Sequence, residues 1–149
     1  MKLNKHNFQA CIFDFDGVII DSEPLHAQAK QVTLDNFQVK YPPALFTDSK
    51  GRPDREFFEF VAGTLVQTGV TAEEMDAYKR SIYLEGFENV PLVMGIQEFL
   101  PVARRTFKKL GLATSATLRD FSLAAQKYQL RPWFDAIITG ADTTRHKPD

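Results

Sequence analysis

The stretch CIFDFDGVIID, residues 11–21, constrains this chain more than any other. Its opening run is short, apolar, and partly aromatic or β-branched, which suits a strand better than a helix. Extended by Gln9 and Ala10, it predicts a buried strand over Gln9 to Phe15. The run ends in Asp14 and Asp16, carboxylates only two residues apart. Like charges this close repel, and a strand end as such needs neither. The pair makes sense where a cation, a reacting group, or both sit between them. Gly17 then permits a sharp turn directly after the acids.

Downstream, the pattern changes from strand to helix and back. From Ser22 to about Asn36 it is helical, and Pro42 and Pro43 break it. DREFFEFVAGTLVQTG puts Phe57, Phe58, Val61 and Leu65 on one helical face and ends at Gly69. Thr71 followed three residues later by Glu74 is a capping-box pattern, and Met75, Tyr78 and Ile82 keep helical spacing. Pro91 closes this helical block. GIQEFLPVARRTF is a further helix, in which Pro101 must lie near the start or produce a kink. KLGLATS reads as a strand ending in hydroxyls, TLRDFSLAAQKYQL as a helix capped by Thr117, and DAIITG (Asp135 to Gly140) as a third buried strand. The polar loop ADTTRHKPD follows. Strands alternating with helices imply right-handed crossovers and a parallel sheet. The helical block interrupts that alternation, so it is expected to be an inserted domain over residues 22–91. The sheet domain would then be formed by 1–21 and 92–149.

Composition removes several classes of function. Net charge is -1 and the pI about 6.3, which gives no electrostatic case for nucleic acid or an anionic membrane. The basic cluster Arg104, Arg105, Lys108 and Lys109 reads as the solvated last turns of a helix, where cations favour the dipole. Cys11 is the single cysteine, so no intrachain disulfide can form. Together with an N-terminal segment that has no signal-peptide shape, this predicts a cytoplasmic protein. No segment is long and apolar enough to span a bilayer.

In open parallel sheets, ligands bind outside the carboxyl ends of the strands. Here those ends carry Asp14 and Asp16, then Thr114 and Ser115, then a loop leading to Lys147. Hydroxyls and unpaired N–H groups at a helix start suit phosphate. A lysine supplies compact positive charge. A carboxylate pair suits Mg²⁺, which takes a few carboxylates with water and substrate oxygens. Singly, each feature has a plainer reading. Asp-x-Asp-Gly could be a turn, Thr114 a helix cap, and Lys147 a surface lysine.

Taken together, the motifs resemble the haloacid dehalogenase superfamily, nearest its β-phosphoglucomutase-like and phosphoglycolate-phosphatase-like branch. DFDGVIIDSE matches the family's first motif, LATS its second, and HKPD its lysine-proline motif, in the right order. The resemblance implies an α/β fold: a Rossmann-like parallel-sheet core with an inserted helical-bundle cap. It implies a Mg²⁺-dependent phosphohydrolase that acts on a small phosphate ester through an aspartyl-phosphate. By position, Asp14 would be the nucleophile and Asp16 the general acid/base. Asp14 and the Asp16 carbonyl would bind the metal. Thr114 and Lys147 would hold the phosphoryl group and offset its charge. His26, Gly51, Arg52, Lys79 and Ser115 would meet the substrate. For His26 the plainer reading is a helix-surface residue, and for Lys79 a solvated charge.

The resemblance also marks a departure. The family's fourth motif, an acidic pair on a later strand that completes the metal site, does not occur in these 149 residues. The expected core therefore lacks its C-terminal part. CIFDF would border an open sheet edge prone to self-association. A β-phosphoglucomutase-type phosphomutase, and an inactive fragment or Asp-phosphorylated switch, remain the alternatives to a phosphatase.

Overall fold

The computed structural model describes residues 8–48, 53–66 and 69–143. In chain order the elements are β1 (Ala10–Phe13), α1 (Glu23–Asn36), α2 (Leu45–Asp48), α3 (Asp54–Thr64), α4 (Ala72–Phe87), α5 (Ile96–Thr106), β2 (Lys109–Ala113), α6 (Leu118–Lys127) and β3 (Ala136–Ile138). Short 3₁₀ turns occupy Arg131–Trp133 and Gly140–Asp142. The chain divides into two compact units: Met1–Ser22 with Glu88–Asp149, and Glu23–Phe87. The first contains the sheet, and the second is helical. No helix among the described residues is long and apolar enough to cross a membrane.

The sheet is parallel, in the order β1-β2-β3. Phe13 pairs with Leu112 and Ala113 with Ile138, so all three strands deliver their carboxyl ends to the same edge. Phe13 is buried, edge-on to Phe99 and Phe134 at 6.1 and 5.8 Å. Phe15 meets Phe121 at 5.6 Å. Leu110 and Leu112 complete the buried side. Alternation along a strand sends neighbouring side chains to opposite faces. Ile12 is accordingly 73% exposed, and Ile138 44%. β1 is thus buried on one face only and no residue of β3 is fully buried, which corrects the expectation of buried strands. Among the described residues β1 and β3 are the sheet's edges, and only β2 has a strand on each side.

The basic cluster also divides differently than its sequence suggests. α5 stops at Thr106, and Lys109 opens β2. Arg104 grips Asp135 with both terminal guanidinium nitrogens, and Lys109 Nζ lies 3.2 Å from Asp135 Oδ1. The Leu110 N–H donates to Asp135 Oδ2 at 2.9 Å. The Arg104 guanidinium, then the Leu110 amide, holds the Asp135 carboxyl far below the usual carboxylate range. Half of the cluster therefore ties the entry of β3 to α5 and β2. Pro101 sits inside α5, which presents Ile96, Leu100 and Ala103 to the interior.

In the helical unit, Leu34, Val39, Leu45, Phe57, Phe58, Val61 and Met75 form one core cluster. Fully burying a side chain such as Phe57 or Phe58 stabilises the unit by about 1.5–3 kcal/mol. α4 begins with the expected capping box. The Thr71 N–H donates to Glu74 Oε2 at 2.8 Å, and the Glu74 N–H donates to Thr71 Oγ1 at 3.2 Å. Its buried stripe is Met75, Lys79, Tyr83 and Phe87, spaced i, i+4, whereas the spacing in sequence pointed to Met75, Tyr78 and Ile82. A lysine therefore occupies a core position, and the reading of Lys79 as a solvated charge is overturned.

Candidate active site

The turn after β1 is tightly bonded. The Phe15 carbonyl accepts from the Ile19 and Ile20 N–H groups at 2.8 and 3.1 Å, and the Gly17 N–H donates to the Ile20 carbonyl at 2.8 Å. Gly17 has φ +71°, a left-handed conformation that costs glycine little. This turn lets Asp14 and Asp16 follow the strand without continuing it. Asp14 is exposed, and its Oδ1 accepts from the Phe15 N–H at 2.7 Å. Asp16 is half-buried, and its Oδ1 accepts from the Ser22 hydroxyl at 2.7 Å. Ser22 itself is fully buried. The two carboxylates thus differ in setting: one is presented to solvent, the other steadied by an interior hydroxyl.

On the neighbouring strand, Thr114 lies just past the end of β2 and is 6% exposed. Its N–H donates to the Ile138 carbonyl at 3.0 Å, and its Oγ1 accepts from the Ala116 N–H at 2.9 Å. Its hydroxyl hydrogen is a separate donor. Ser115 is exposed beside it. Thr117, not Thr114, caps α6: its Oγ1 accepts from the Asp120 N–H at 3.2 Å and donates to Asp120 Oδ2 at 2.8 Å. That leaves Thr114 outside the capping role its sequence also allowed. The register brings Asp14 and Thr114 to the same edge of the sheet, on adjacent strands.

β3 closes this edge. Gly140 N–H donates to the Ala116 carbonyl at 3.0 Å. Asp142 accepts from the N–H and hydroxyl of Thr139 at 2.8 Å each, capping the turn. Lys147 lies outside the described residues, as do Gly51 and Arg52.

His26 and Lys79 come together within the helical unit. Lys79 Nζ lies 2.8 Å from His26 Nδ1 and 2.5 Å from Asp54 Oδ2. The His26 ring stacks on Tyr83 with centroids 4.3 Å apart. Lys30 Nζ lies 3.0 Å from Asp54 Oδ1. Burial pushes the Lys79 ammonium below its ordinary range, against the opposing pull of Asp54. Burial also works against the Asp54 charge, but Lys79 and Lys30 overcome it and leave the carboxyl below its ordinary value. Sequence reading missed Ser22, Asp54 and Gly140. Ser22 was legible only as part of a motif. Asp54 opens a helix, where acids are common, and nothing local reveals its distant partners.

Among the described residues, Asp14 and Asp16 bring carboxylates to the carboxyl end of β1. No group of three or more His, Cys, Asp or Glu side chains that could hold a metal occurs among the described residues. Mg²⁺ is commonly held by one or two carboxylates, with water and substrate phosphate as further ligands. The donors present therefore fit a Mg²⁺ ion held partly by the protein.

A phosphorylated carbohydrates phosphatase of Thermotoga maritima is 27% identical over 95% of this chain, and the chain spans 65% of that relative's length. A fructose-1-phosphate phosphatase of Escherichia coli is 27% identical over 95% of the chain, which spans 74% of it. A solved structure from Thermotoga maritima, described as a β-phosphoglucomutase, superposes with a TM-score of 0.75 at 26% identity, covering 95% of this chain and 66% of its own. The profile of the haloacid dehalogenase-like hydrolases matches residues 11–149, and the chain belongs to that family.

Proposed function

We propose that this chain carries the catalytic motifs of a phosphohydrolase that releases phosphate from a small phosphorylated carbohydrate. The observation that supports it most is the pairing of an exposed Asp14 with an Asp16 steadied by buried Ser22, at the strand edge shared with Thr114. Relatives named as phosphatases of phosphorylated carbohydrates and of fructose 1-phosphate support this substrate class.

In this reading Asp14 is the nucleophile. Its carboxylate oxygen forms a bond to phosphorus while the bond from phosphorus to the ester oxygen breaks, giving an aspartyl-phosphate. Asp16, as the acid, delivers a proton to the departing oxygen. As the conjugate base it then takes a proton from water. The water oxygen displaces the phosphoryl group from Asp14, which restores both side chains. Phe15 N–H orients the nucleophile and Ser22 orients the acid/base. Thr114 and Ser115 supply donors to the phosphoryl oxygens, and Lys147 offsets their charge. Asp14 and the Asp16 carbonyl would hold Mg²⁺, which supplies charge neutralisation to the phosphoryl group when bound.

His26, Lys79, Gly51 and Arg52 are proposed to contact the sugar portion, making the helical unit a cap. The relatives named as phosphatases favour a phosphatase over a phosphomutase. The test supplies β-glucose 1-phosphate with hexose bisphosphate present. Free phosphate without glucose 6-phosphate is expected. Conversion to glucose 6-phosphate would establish the mutase instead.

A further inference from the structure

The stripe Met75, Lys79, Tyr83, Phe87 places an ammonium where its neighbours are apolar. Lys79 is 2% exposed. It lies over the Tyr83 ring, 4.7 Å from the centroid, and contacts His26 and Asp54 at the distances given above. Asp54 directs its other oxygen to Lys30, and its side chain is 28% exposed. Three helices therefore meet through one carboxylate: Lys30 and His26 on α1, Asp54 on α3, Lys79 on α4.

An ammonium has three donors and no acceptor. While Lys79 is charged, its contact with His26 therefore requires Nδ1 to accept. A neutral ring that accepts at Nδ1 carries its proton on Nε2. Burial works against the charge on Lys79, and the Asp54 carboxylate is the main group that sustains it. Asp76 also faces the cluster. Its carboxyl is raised by burial and then by the Asp54 charge, while Lys79 and Arg80 oppose that rise. Asp76 is thus a weaker counter-ion for Lys79 than Asp54.

We propose that Asp54 is a positioning residue: its carboxylate keeps Lys79 an ammonium against α1 and thereby fixes His26 as the Nε2–H tautomer, stacked on Tyr83. Asp54 acts through Lys79 and not by its own contact with the ring. A motif reading that selects His26 and Lys79 gives neither a partner. Asp54 supplies the link that makes them one unit.

The test is NMR on the ¹⁵N,¹³C-labelled full chain without substrate, which does not depend on activity. In the wild type, His26 should show an unprotonated Nδ1 and a protonated Nε2. In Asp54→Asn the Lys79 transition should move to lower pH, and above it the His26 nitrogens should average between tautomers. Asp54→Glu should restore both signals. An Asp54→Asn protein with wild-type Lys79 titration and wild-type His26 nitrogens would overturn the proposal, as would a wild-type His26 protonated on Nδ1. If Asp54→Asn fails to fold, Lys79→Met removes the donor while filling the stripe, and an unchanged His26 tautomer there is equally fatal. The catalytic consequence rests on the hydrolase reading: kcat/KM should fall on the order of tenfold to a hundredfold in Asp54→Asn, the size of one charge-assisted hydrogen bond. Altered NMR signals with unchanged kcat/KM on a sugar phosphate would leave the positioning role standing and reject the role of the helical unit in substrate binding.

Discussion

A Cβ on Gly140 would stand 2.7 Å from the carbonyl oxygen of Ser115 and 3.3 Å from that of Ala116. Both obstacles are backbone, in the loop that carries the hydroxyls after β2. Relief requires that loop to move. Gly140→Ala should therefore destabilise the protein by about 1–3 kcal/mol, the usual range for overpacking, and should lower turnover through Thr114 and Ser115. Gly86 makes the useful contrast. Its Cβ would meet Leu25 Cδ1 at 2.4 Å, the far end of a side chain that can change rotamer. Gly86→Ala should cost less, as read by urea unfolding of both variants.

Removal of either partner in the Asp54–Lys79 pair should not be equivalent. Asp54→Ala leaves the Lys79 ammonium buried without its carboxylate. Lys79→Met fills the same stripe with an apolar side chain, and Asp54 keeps Lys30. Unfolding at neutral pH should show Asp54→Ala less stable than Lys79→Met, by roughly 1–3 kcal/mol. Equal losses would mean that the pair acts only through volume.

Acid sensitivity should be traceable to particular carboxylates. Asp135 and Asp54 are both more acidic folded than unfolded. The unfolded chain therefore binds more protons between the folded values and the ordinary value of about 3.9, and stability rises with pH across that window. The contribution is complete above the unfolded value and is lost as pH falls through the folded ones. Lys79 is depressed as well, so its contribution grows as pH rises from its folded value toward the ordinary value of about 10.4. Asp135→Asn should flatten the decline of the urea midpoint below about pH 4, the unfolded carboxylate range. An unchanged slope would remove Asp135 from this account.

The outer face of β1 should promote self-association. Ile12 and Phe8 are 73% and 72% exposed on or beside a strand that forms a sheet edge among the described residues. Exposed apolar edges invite strand pairing, and a lysine there discourages it. Light scattering should give a concentration-dependent molar mass for the wild type and a lower one for Ile12→Lys. Identical masses for the two proteins would exclude this edge.

Much of this was legible in sequence because the signals are local. Thr71 and Glu74 announce their capping box, Thr117 its helix, and Asp14 and Asp16 the end of a strand. Side-chain alternation was the weaker guide. A run that is apolar throughout does not say whether one face or two will be covered, and Ile12 and Ile138 were read as buried for that reason. Lys79 was missed as a core residue because its burial depends on Asp54, 25 residues away in sequence. Composition and spacing along α4 carry no trace of that partner. Ser22 and Gly140 act through contacts with Asp16 and with the Ser115 loop that only the fold creates.

Asp14 as the phosphoryl acceptor is the centre of the functional reading. The direct measurement incubates the purified protein with a sugar phosphate and Mg²⁺, quenches in acid, and locates the covalent phosphoryl group by peptide mass spectrometry. Phosphate on the peptide carrying Asp14, absent in Asp14→Asn, is expected. Asp16→Asn should lower turnover by roughly 10²–10⁴-fold, as for loss of a general acid/base. A phosphoryl group found on another residue, or wild-type turnover in Asp14→Asn, would contradict the account.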